Sequence, residues 1–140
     1  MRAAAWLLVG NGAYDLACCA SILLGTPTPL ANLHMRLFAV ESDRTNAALR
    51  RVVAYWVATY GVVRMCAGLL CLQAATPKHA AKHALGIAAL TYACEAMAFA
   101  HAMAVGNMSR SRTGFVVASS AGCVLLLGVS ATDAGVLCPI

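Results

Sequence analysis

The chain has 140 residues, 61% of them hydrophobic and 11% charged, with a formal charge of +5. An ordinary soluble domain is about 25% charged, and a chain this short keeps much of its surface exposed, so the composition excludes a water-soluble globular domain and points to lipid. The length allows one domain, residues 1–140. The basic residues sit mainly between apolar runs instead of forming a stripe, which argues against nucleic acid as a partner.

Four membrane spans are expected, because a helix needs about 20 apolar residues to cross the hydrocarbon core. The first covers residues 3–25 and ends at Thr26-Pro27-Thr28-Pro29, where proline removes a backbone donor. Asn11 and Asp15 lie within it, and no small-residue cleavage site follows, so it reads as a retained helix and not a signal peptide.

A longer connection, residues 26–51, comes next. Leu30, Leu33 and Leu37 repeat at helical spacing, with Asn32 and Arg36 on other faces, which predicts a short amphipathic helix in the headgroup zone. Ser42-Asp43 reads as the cap of the second span. That span covers residues 52–75 and ends before Thr76-Pro77. The third covers residues 80–105 and ends at Gly106-Asn107; the fourth covers residues 114–136. Short links force antiparallel neighbours. The expected fold is therefore all-α: an up-down-up-down four-helix membrane bundle with an interfacial helix between the first two spans.

Loop charge predicts orientation. Arg36, Arg44, Arg50, Arg51, Arg110 and Arg112 fall on the side of the long connection, and Arg2, Lys78 and Lys82 on the other. The excess places the long connection in the cytoplasm or matrix, with both termini opposite. Arg36, Arg50, Arg51, Arg110 and Arg112 are expected to meet lipid headgroups. Asn107-Met108-Ser109 matches a glycosylation sequon, but on this topology it faces the wrong compartment. Trp6, Tyr55 and Trp56 lie near span ends, as aromatic belts do.

Asp15, Arg64 and Glu95 lie well inside spans. A charge near the bilayer centre costs about 3 kcal/mol on insertion scales, so it is kept when paired or functional. Asn11 is one turn before Asp15, and Thr91 one turn before Glu95. In an antiparallel bundle Asp15 and Arg64 reach similar depths. Asn11, Asp15, Arg64 and Glu95 are therefore expected to form a polar knot, structural or able to hold a lipid. Gly61 and Gly68 flank Arg64 at i−3 and i+4 and admit a close helix, and Ala118-x-x-x-Gly122 offers another small-residue surface.

The remaining candidates are weaker. Seven cysteines form no CxxC pair and read as small buried hydrophobes. His79 and His83 are spaced i, i+4 without a third ligand. His101 falls on a different face from Glu95. No metal, cofactor or catalytic residue is expected.

Arg51-Val52-Val53-Ala54-Tyr55-Trp56 and Tyr60-Gly61-Val62-Val63-Arg64 resemble the second helix of the ergosterol-biosynthesis scaffold family. Gly10-Asn11 and Tyr92-Ala93-Cys94-Glu95 are similar to parts of its first and third helices. The family's histidine one turn before the glutamate is Thr91 here, and the first connection is longer. These are small four-helix endoplasmic-reticulum proteins that hold sterol C-4 demethylation enzymes together. The resemblance implies tethering, with Arg64 and Glu95 as structural positions.

The function expected is a non-catalytic scaffold or accessory subunit of a larger membrane complex, respiratory or lipid- and sterol-metabolic. Its partners would be other membrane subunits and membrane lipids. The inner mitochondrial membrane is the expected location, with the endoplasmic reticulum as the alternative. The competing reading is a membrane-embedded lipid or sterol isomerase using Glu95 and Asp15, which needs a lipid-sized cavity to bring them to substrate. A transporter would need inverted repeats or broken helices that the sequence lacks.

Overall fold

A computed structural model of the protein describes residues 1–25 and 34–136. Their regular elements are helices: α1 (Arg2–Leu24), the five-residue α2 (Glu41–Thr45), α3 (Ala47–Leu72), α4 (Lys78–Ala104) and α5 (Arg110–Val136). The four long ones hold 23 to 27 residues. At about 1.5 Å per residue each is roughly 35–40 Å long, more than the ~30 Å hydrocarbon core. All four are apolar enough to cross a membrane, as in a multi-pass membrane protein.

The helix ends follow local chemistry. Gly25 closes α1 in the left-handed region at φ 66°, which glycine enters without steric cost. The α3 cap is Asn46, not Ser42-Asp43: Asn46 Oδ1 accepts from the Ala48 and Leu49 amides at 3.0 and 3.1 Å. Ser42 and Asp43 fall inside α2 instead. With that cap, α3 begins five residues before the expected span and ends at Leu72. Pro77 precedes the first residue of α4, where its missing N–H costs nothing. Helix α5 begins at Arg110, four residues earlier than expected.

Of the expected amphipathic helix, Leu30, Asn32 and Leu33 lie outside the described residues. His34 and Met35 are helical, and a turn at Arg36 and Leu37 follows. Phe38 forms an antiparallel bridge with Met108. Ser109 N donates to Leu37 O at 2.9 Å, and Ala39 N to Asn107 O at 3.1 Å. The first connection is thus strapped onto the α4–α5 turn.

Packing divides the helices into two tight pairs. In the pair α1–α3, Arg50 meets Ile22, Gly61 meets Gly12, and Gly68 meets Ala5. A Cβ on Gly12 would lie 2.6 Å from Gly61 O, and one on Gly68 would lie 2.7 Å from Ala5 O. Backbone is in contact with backbone, which only glycine permits. The pair α4–α5 is also extensive, α3 packs on α4, and α1 barely touches α5.

The core reflects this pairing. At one end Ala5, Leu8, Ala67, Leu85, Ala88 and Leu127 draw all four long helices into one cluster. At the strapped end the core splits in two. Cys18, Ile22 and Val57 pack between α1 and α3, and Leu37, Phe99 and Met108 pack between α4 and α5. The bundle is closed at one end and cleft at the other.

Candidate functional site

Arg64 sits where the cleft begins. Its side chain leaves α3 between Gly61 and Gly68, and only 1% of the residue is exposed. Nη1 donates to Asp15 Oδ2 on α1 at 2.8 Å, and Nη2 to Glu95 Oε2 on α4 at 2.8 Å. Nε donates to Thr91 Oγ1 at 3.1 Å. The planar guanidinium holds its donors in a fixed fork, so Nη1, Nη2 and Nε each face a different helix-borne acceptor in one plane. The Tyr92 ring lies under the guanidinium at 3.7 Å and the Tyr60 ring at 5.2 Å, both cation–π contacts.

Two further hydrogen bonds tie in the remaining helix. Ser120 Oγ on α5 donates to Glu95 Oε2 at 3.0 Å. Asn11 Nδ2 on α1 donates to the Tyr92 hydroxyl. All four long helices therefore contribute to one polar cluster around Arg64.

Its charges do not cancel. One guanidinium faces two carboxyl groups, so full ionisation would leave a formal charge of −1 in the bundle. Asp15 Oδ1 and Glu95 Oε1 have no hydrogen-bond partner among the described residues. Both residues line a cavity of about 630 Å3 between α1 and α5, within the range of small-ligand sites. Leu7, Leu37, Phe99, Phe115 and Val116 supply apolar walls, and Arg36 and Arg112 stand at the strapped end.

His34 lines the same end. Its ring faces Tyr14 with centroids 6.1 Å apart, and its buried Nδ1 has no hydrogen-bond partner among the described residues. Burial holds the imidazole below its ordinary pKa, against a weaker upward pull from Glu95.

The sequence-derived residues are distributed as follows. Asp15, Arg64 and Glu95 are in direct contact. Asn11 joins through its hydrogen bond to Tyr92. Arg112 Nη1 donates to Arg36 O at 3.1 Å, and Arg50 Nη2 to Ile22 O at 3.1 Å, so both guanidinia brace backbone carbonyls. Arg36, Arg51 and Arg110 are exposed. Trp56 packs on Phe99 and Tyr60 within the bundle, whereas Trp6 and Tyr55 face outward. His79, His83 and His101 are exposed. Asp133 and Cys138 fall outside the side chains described. Among the described residues no three His, Cys, Asp or Glu side chains gather as a metal site would require.

Sequence reasoning missed Ser120 and the role of Tyr92. Serine is common on a span, and nothing local marks Ser120 as facing Glu95; the α4–α5 register decides it. Tyr92 is adjacent to Thr91, and the signal was its position three residues before Glu95.

Comparison of the chain with protein-family models, with curated proteins and with solved structures finds no match.

Proposed function

We propose that this chain is a non-catalytic accessory or scaffold subunit of a larger membrane assembly, serving respiration or lipid and sterol metabolism. The observation that carries this reading is the commitment of the intramembrane charges to one another. General acid–base chemistry needs a group poised to trade protons with substrate. Asp15 and Glu95 instead share one guanidinium, and Ser120 and Thr91 hold the arrangement in register. The cluster joins helices, as buried polar groups in membranes do.

A second feature favours assembly. Phe115, Ala118, Gly122, Leu125 and Val129 alternate at three- and four-residue spacing along α5, and all are exposed. A Cβ on Gly122 would meet nothing within 4 Å. Small residues in the middle of such a stripe let another helix come close. The partners are other membrane subunits and surrounding lipids.

Contact registers that descend along one helix as they rise along its partner support an up-down-up-down bundle. The first connection would hold a short interfacial helix, on the arginine-rich cytoplasmic or matrix side, with both termini opposite. The inner mitochondrial membrane is the favoured location and the endoplasmic reticulum the alternative.

The isomerase reading gains one specific observation: the cavity reaches Asp15 and Glu95. A single comparison separates the two. Tagged protein extracted in mild detergent should migrate with stoichiometric partner chains, and Gly122→Leu should release them without loss of helix content. Migration as a lone monomer, together with loss of lipid turnover in Glu95→Gln, would replace the scaffold with an enzyme.

A further inference from the structure

The cavity between α1 and α5 is lined by features that select one kind of occupant. Its upper walls are aromatic and aliphatic, from Phe99, Phe115 and Val116. From Arg112 to Cys123 the lining on α5 spans about 16 Å. Because α1 and α5 barely touch, a lipid can enter sideways from the bilayer.

The base of the cavity is polar and unfinished. Asp15 Oδ1 and Glu95 Oε1 belong to carboxyl groups held by the two ends of one guanidinium, and both lack a partner among the described residues. Both residues line the cavity, so an occupant that displaces water there must supply hydrogen bonds to them. If both groups are ionised, each oxygen needs a donor. If one keeps a proton, that carboxyl needs an acceptor and the other still needs a donor. A hydroxyl has one donor and acceptor lone pairs, so a single one completes the state in which one carboxyl keeps its proton. An ether can only accept. An anionic group would meet an excess of carboxylate over guanidinium.

We infer that this cavity is a binding site for a neutral lipid alcohol, with its hydroxyl against Asp15 and Glu95 and its apolar body between α1 and α5. The inference does not rest on the scaffold reading, since an accessory subunit and an enzyme could both hold such a lipid. Arg36 and Arg112 lie at the far end, where they would sit at headgroup level beyond the buried molecule.

The test uses full-length protein in phosphatidylcholine nanodiscs. The probe is a long-chain alcohol with a mid-chain diazirine, compared with the same chain ending in a methyl ether or a carboxylate. After irradiation, the alcohol should label inner wall residues such as Tyr14 and Phe99 about fivefold more than either analogue, the discrimination expected of a hydrogen bond. Ser119→Phe adds bulk to the cavity wall from α5 at a residue that does not bond to Arg64, and should erase the preference while melting as the unmodified protein does. Stronger labelling by the carboxylate would assign the cavity to an anionic headgroup and overturn the inference. Equal labelling by all three probes would overturn it as well. If Ser119→Phe fails to fold, the three-probe comparison on the unmodified protein still decides.

Discussion

Among single residues, Arg64 and its partners carry the account. The sequence marked Asp15, Arg64 and Glu95 because an unexplained charge within an apolar run is expensive. It did not mark Ser120, whose importance depends on a helix register that no local pattern reveals. Thr91 was visible only as a polar neighbour of Glu95, yet its hydroxyl receives Arg64 Nε and donates to Ala88 O at 2.8 Å. Thr91→Val keeps shape and removes both bonds, one of them to a buried guanidinium, so it should cost about 1.5–3 kcal/mol in a reversible unfolding assay. His34 supplies a pH dependence. Burial holds it below its ordinary value, so the unfolded chain takes up the proton first as pH falls. Stability is full above the unfolded value of about 6.5 and declines as pH drops below it. His34→Phe should flatten that decline in thermal melts taken between pH 7 and 5.

At the level of elements, the α1–α3 pair depends on glycine. Gly61 and Gly68 were readable as places for close approach, whereas Gly12 was not singled out. Which helix approached was not readable, because all four spans are rich in small residues. Gly12→Leu should weaken the pair by about 1–3 kcal/mol or more, since the opposing atoms are backbone and cannot yield. Gly10→Ala, two residues away with nothing within 4 Å, should instead stabilise the helix by about 0.5–1 kcal/mol, because alanine is the better helix former. Proteolysis rates in detergent would distinguish the two. The start of α3 is an informative miss. Ser42-Asp43 and Asn46 carry the same capping chemistry, and Asn46 prevails because Ala47, Ala48 and Leu49 continue directly into the span. Asn46→Ala should fray the first turn, at a cost of about 1 kcal/mol.

In the whole molecule, composition was enough to foresee four long apolar helices, since hydrophobic length is a direct consequence of membrane thickness. The cleft was not foreseeable. It arises where the strap from His34 to Ala39 ties to the α4–α5 turn, and where the core divides into two clusters. Those are long-range contacts with no periodic signature. Arg64 stands at the apex of that cleft and connects both halves. Its removal would leave two carboxyl groups close together without their shared cation, which costs more than never having had the charges at all. The most direct measurement compares the unfolding stability of Arg64→Met with that of the triple variant Asp15→Asn, Arg64→Met, Glu95→Gln. The clasp predicts a loss of about 3 kcal/mol in the single variant and recovery of much of it in the triple. A single variant as stable as the unmodified protein would contradict it.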